Sequence, residues 1–138
     1  MQKFLFTLAL IGICQVADLN AQLMTEPDHE VIEEVLFSLG IAAKRDDTRY
    51  TLSMQNKKVL LVVGDTWLQL YAGFQTDAEI SVINTFNQEY KWCRAYLDND
   101  GDPCLESDIS YIGGMTEMNL RSFFSTYDAI LAVFLEKI

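Results

Sequence analysis

The sequence predicts an α+β protein: an antiparallel meander plus a hairpin, packed with three helices. Three observations carry this. Tyr50–Met54 and Trp67–Phe74 alternate apolar and polar residues around the mostly apolar, β-branched-rich run Lys57–Val63, as half-buried strands flanking a central one do. Asn99-Asp100-Gly101 lies between two further strand-like stretches. The residues from Thr116 to Ile138 repeat apolar side chains at helical spacing.

Leu23 to Asp28 is a short polar leader. Asp28 suits the N-cap of a helix over His29–Leu39, with Glu30 in its first turn and Gly40 just past its end. Val31, Ile32, Val35, Leu36 and Leu39 make its apolar stripe. A weak strand, Ile41–Arg45, comes next. Tyr50–Met54 turns through Gln55-Asn56 into Lys57–Val63, and Gly64-Asp65 turns that strand into Trp67–Phe74. Thr76 or Asp77 is expected to cap a second helix buried through Ile80, Ile83, Phe86 and Tyr90. Lys91–Asp98 and Asp102–Tyr111 then form the hairpin. Asn99-Asp100-Gly101 suits a three-residue loop whose last residue takes positive φ, which glycine adopts freely. Pro103 has no N–H to donate, so it belongs at the start of an edge strand or beside a bulge. Gly113-Gly114 breaks the chain, and Thr116 caps the last helix. Its stripe is Leu120, Phe123, Phe124, Tyr127, Ile130, Leu131, Phe134 and Ile138.

Several of these segments carry a resemblance. From about Val31 to the C-terminus, Leu68-Gln69-Leu70 with Phe74, Val82-Ile83-Asn84-Thr85-Phe86-Asn87, Arg94-Ala95-Tyr96-Leu97-Asp98 and Gly113-Gly114 occur in order before the long apolar helix. In this the chain resembles the YbjN family of bacterial sensory transduction regulators, with Phe86 standing where many relatives carry Trp. The resemblance implies a small domain similar to type III secretion chaperones. It implies no established activity, cofactor or catalytic residue.

The 138 residues carry a net charge of −10. That balance opposes nucleic acid and anionic lipid, since phosphate binding needs a Lys/Arg surface. Residues 1–22 read as a signal peptide. Lys3 is the positive end, Phe4–Cys14 the apolar segment, and Leu19-Asn20-Ala21 the cleavage site. Ile13 ahead of Cys14 disfavours lipid attachment, which wants a small residue there. The apolar run is also shorter than the ~20 residues of a bilayer span. The mature domain would be residues 23–138, periplasmic or secreted, with no membrane span after cleavage.

Candidate chemistry is sparse. His29 is the only histidine and has no Ser or Cys nucleophile near it in sequence. Asp98-Asn99-Asp100-Gly101-Asp102 resembles a calcium loop. Aligning Gly101 with that loop's glycine puts Tyr96 and Ser107 where ligating carboxylates belong, so a hairpin turn is the better reading. In an oxidising compartment Cys93 and Cys104 invite a bridge. The three-residue loop, however, pairs Tyr96 with Cys104 and Cys93 with Ser107, and so sends the thiols to opposite faces. Two free thiols are expected. Asn84 and Asn87, one helical turn apart, suit hydrogen bonds to neighbouring backbone. No phosphate loop, nucleophile elbow or zinc-protease motif is present. No enzyme and no cofactor or metal is therefore expected. The expected function is a regulatory or chaperone-like module that binds a protein partner, possibly as a homodimer. Phe123, Tyr127, Leu131 and Phe134 of the last helix are the candidate contact residues. The alternative is a sensor of a small ligand or cation, using a pocket between sheet and helices or the Asp98–Asp102 turn.

Overall fold

The structure, a computed structural model, describes residues 23–138. The proposed signal peptide lies outside the described residues. Among the described residues the architecture is α+β: three helices and one six-stranded antiparallel sheet.

Helix α1 (His29–Ser38) opens under Asp28, whose carboxylate accepts from the Glu30 N–H. It closes where Gly40 takes φ 71°, a conformation costly for any side chain with a Cβ. Strands β1 (Ala42–Asp46), β2 (Arg49–Met54), β3 (Lys57–Val63) and β4 (Trp67–Gly73) form the meander. Gln55-Asn56, both at positive φ, makes the tight turn between β2 and β3. Helix α2 (Ile80–Glu89) then crosses to β5 (Arg94–Leu97), which turns into β6 (Pro103–Ser110). Helix α3 (Glu117–Lys137) starts at Thr116, whose hydroxyl accepts from the Asn119 N–H.

The sheet order is β1-β2-β3-β4-β6-β5, so β6 lies between β4 and β5. Alternation sends Tyr50, Leu52, Val59, Leu61, Leu68, Leu70, Ala72 and Leu105 to one face. There they form one core with Ile32, Leu36, Phe86, Leu120, Phe124, Leu131 and Phe134 of the helices.

Four expectations need correction. Ile80, expected on the buried face of α2, is 58% exposed. Helix α2 is capped by Glu79, not Thr76 or Asp77. The Thr76 N–H already bonds Phe74 O, and the first helical N–H groups, from Val82 and Ile83, go to Glu79 O. Strand β5 begins at Arg94 rather than Lys91, for reasons given below. Pro103 starts an interior strand. It is tolerated because Gly73↔Cys104 is the last pair of the β4–β6 ladder.

The hairpin register is as expected: Tyr96 pairs with Cys104 and Arg94 with Glu106. Gly101 has φ 86°. Cys93 and Cys104 are both buried free thiols. Thiol labelling of the denatured, unreduced protein should therefore tag both. Burial pushes the Cys93 thiol up to about 11, so the fold favours its neutral form. Stability should be flat below the unfolded value near 8.5 and fall as pH rises toward 11, by up to about 1.4 kcal/mol per pH unit. Urea unfolding at pH 7 and 9.5 checks this, and Cys93→Ala should reduce the dependence, leaving the part due to the Cys104 thiol, which burial also pushes up.

Candidate binding cleft at the end of strand β5

Strands β5 and β6 are unequal. The first has four residues and the second eight, so pairing between them stops at Arg94↔Glu106. Two interactions turn the chain away there. Ser107 Oγ donates to Trp92 O at 2.7 Å. Asn87 brackets Ala95, with Nδ2 donating to Ala95 O at 2.8 Å and Oδ1 accepting from Ala95 N at 2.9 Å. The helix that ends at Glu89 is thereby fastened to β5, and only four residues remain to reach Arg94. Trp92, at the bend, is 76% exposed.

Beyond Glu106, β6 has no strand beside it on this side among the described residues. Ladder direction fixes which groups are left over. Pro103 O accepts from Phe74 N, and Tyr111 N donates to Thr66 O, so odd-numbered residues of β6 point their backbone groups at β4. Asp102 O accepts from Asp98 N on the other side, so even-numbered residues point at β5. The N–H and C=O of Asp108 and Ser110 therefore face the empty position.

Two cavities flank that position. A cleft of about 440 Å³ lies between β6 and α3, walled by Trp92, Ile109, Phe123 and Tyr127, with Asn119, Ser122 and Thr126 along its rim. A second, of about 450 Å³, lies on the helix-free face and includes Gln69, Lys91, Arg94 and Glu106. They share Trp92, Ser107 and Asp108. On the helix-free face Arg94 pairs with the buried Glu106 carboxylate. Burial, with Glu106 beside it, pushes the Tyr96 hydroxyl up to about 12. The Tyr71 hydroxyl, pushed up mainly by its hydrogen bond with Cys104, lies 3.2 Å from that sulfur. These groups are neutral or paired, so they shape the surface.

The four candidate contact residues of α3 divide. Leu131 and Phe134 are fully buried in the core. Tyr127 is buried too, but its ring forms part of the cleft wall and its hydroxyl donates to Leu105 O. Phe123 is half-buried and lines the cleft. Sequence reasoning did not find Trp92, Ile109 or the open half of β6. Lys91-Trp92-Cys93 alternates as a strand would, and only the Ser107 and Asn87 bonds divert it.

The remaining candidates sit elsewhere. His29 Nδ1 lies 2.7 Å from Tyr50 Oη, on the α1 side of the sheet. Asn87 bonds backbone as expected; Asn84 is exposed on the same helix. Asp98 Oδ1 accepts from both Asp100 N and Asp102 N at 2.9 Å, so this carboxylate braces its own turn. No group of three or more His, Cys, Asp or Glu that could hold a metal occurs among the described residues. Millimolar calcium should leave the melting temperature unchanged. A rise of several degrees that Asp100→Ala abolishes would reverse this.

No curated protein matches the chain. Among solved structures it is similar to the crystal structure of YbjN from E. coli, described as "a putative transcription regulator". The TM-score is 0.64 at 14% identity, covering 81% of this chain and 90% of that one, and this likeness concerns the fold. Residues 28–138 match the YbjN family, "Putative bacterial sensory transduction regulator". With that match spanning the helix, meander, hairpin and final helix described above, the chain belongs to the YbjN family.

Proposed function

We propose that the chain is an exported, non-catalytic regulatory module that binds a protein partner in a chaperone-like way. The observation that carries this is the cleft beside Trp92, where a largely exposed indole, a half-buried phenylalanine and strand backbone unpaired among the described residues converge. Exposed Trp and other aromatic anchors at a concave site are the usual centre of a protein contact. Among the described residues the cleft brings no nucleophile and base into contact: Ser107 Oγ is engaged with Trp92 O, and His29 lies beside Tyr50 of β2.

A photoreactive amino acid at position 92 tests the reading in the native host. A discrete protein adduct is expected there and none at Phe37, an exposed apolar control on α1. No adduct at 92, or the same adduct at both positions, would count against it. Export is tested by N-terminal sequencing of protein from that host: Gln22 or a close neighbour is expected, and an intact Met1 removes this part. A homodimer belongs to the same reading, and light scattering checks it.

A second reading, a small-ligand sensor, is favoured by the size of the cleft. Its volume falls within the roughly 300–1,000 Å³ of small-molecule sites. A ligand at 100 times its dissociation constant should add about 2.7 kcal/mol of stability. Such a shift without any protein adduct at position 92 would put the sensor first.

A further inference from the structure

The shape of the open half of β6 goes further than a binding site for some protein; it specifies a mode of recognition. Resting on the protein-binding reading, we propose that the notch takes an extended peptide segment, of apolar–basic–apolar pattern, that adds as a strand alongside β6 opposite Asp108–Ser110.

Three features select this occupant. The first is the backbone. Asp108 and Ser110 present paired donors and acceptors at strand spacing, and only another extended backbone matches that row. At ~3.4 Å per residue the open stretch suits a segment of roughly three or four residues. The chain's own continuation, which would have placed Trp92 opposite Asp108, is diverted by the Ser107 hydroxyl.

The second feature is the difference between the two sides. A strand in the notch sends alternate side chains to opposite faces. The side chain opposite Ile109 enters the cleft, where Ile109, Phe123 and Tyr127 offer it an apolar wall. The side chain opposite Asp108 emerges on the helix-free face.

Charge is the third. Asp108 is exposed and makes no ion pair among the described residues. Lys91 and Arg94 border the same cavity, but Arg94 is already held by Glu106. Asp108 is thus the carboxylate left for an incoming side chain, on a chain of net charge −10. Opposite charges directly across a ladder attract, so Lys or Arg fits at that place.

The test uses the full chain, isotope-labelled, with the capped peptide acetyl-Thr-Val-Lys-Val-Thr-amide. Backbone amide exchange at Asp108 and Ser110 is followed together with Trp92 fluorescence. With peptide bound, both amides should exchange at least about tenfold more slowly. Methylating the backbone nitrogen of the peptide Lys should weaken binding at least about tenfold, because that N–H pairs with Asp108 O. Replacing the Lys with Glu should also weaken it. Phe123→Ala should lower affinity while leaving the fold intact, as judged by its melting curve. Equal binding by the methylated peptide, binding without protection, or no binding at millimolar peptide would each overturn the proposal. So would protection already present in the free chain, which would place a segment of the chain itself in the notch. Protection that grows with protein concentration overturns it in favour of a second copy. If the peptide fails while the position-92 adduct forms, strand addition falls and the protein-binding reading stands.

Discussion

Phe134→Ala should destabilise the protein by about 3–5 kcal/mol, the range for removing a fully buried aromatic ring. Phe134 has no exposed surface. Its ring meets Phe86 edge-on at 4.8 Å and Phe74 at 6.0 Å, so it joins α3 to α2 and to the end of β4. The substitution removes the shared partner of both contacts. Against a total stability of about 5–15 kcal/mol for an ordinary domain, this loss is large. Chemical denaturation measures it directly. A cost under about 1 kcal/mol would mean that Phe134 is not the keystone this packing implies. Phe123→Ala is the informative companion. That ring is half-buried at the cleft, so its loss should cost little stability and mainly affinity. The pair separates two residues that look equivalent on the helix stripe.

Asn87→Ala should cost about 2–4 kcal/mol, more than an ordinary helix substitution, because it orphans two backbone groups at once. Ala95 is buried, and on the outer side of β5 its N–H and C=O have the Asn87 amide as partner. The amide imitates a neighbouring strand. Without it the outer edge of β5 is open, and open edges template pairing with other chains. Asn87→Ala should therefore show a lower denaturation midpoint together with concentration-dependent association by light scattering. Asn87→Asp is a graded control. Its carboxylate still accepts from Ala95 N–H but opposes Ala95 O. The fold then favours the protonated carboxyl, raising its folded pKa above the unfolded value of about 3.9. Stability of that variant should be best in acid and fall as pH rises through the carboxylate range. A pH-flat Asn87→Asp would remove the pairing argument.

The meander was legible because each strand announces itself twice: by alternation, and by turn residues that leave no other way for the chain to go. Tyr50, Leu52 and Met54 share a face because the period is two, and Gln55-Asn56 fixes where that face returns. The hairpin register followed from reading Asn99-Asp100-Gly101 as a three-residue loop. The start of α2 was misread because Thr76 and Asp77 are chemically better caps than Glu79, but the Thr76 N–H is committed to Phe74 O in the turn after β4 and the first helical N–H groups go to Glu79 O. No local preference encodes that commitment. The cleft was least legible of all. Phe123 and Phe134 are the same residue type on the same stripe, and only the packing of α3 across β6 and α2 decides which ring stays near solvent. The open half of β6 is the difference in length of two strands, and the diversion at Trp92 comes from a hydroxyl fifteen positions later in the chain.

The position of β6 between β4 and β5 also governs how the chain finds its fold. Strands β1 to β4 join neighbours through short turns, so their pairing closes small loops quickly and at low entropic cost. The β4–β6 ladder, from Gly73↔Cys104 to Trp67↔Ser110, brings together residues far apart in sequence, with α2 and β5 lying between them in the chain. Within the sheet it is the seam that joins the locally wired meander to the hairpin. Its assembly should set the folding rate. Amides of the β2–β3 hairpin should gain protection before those of Leu70 and Ser107, and substitutions along the seam should slow folding more than they hasten unfolding.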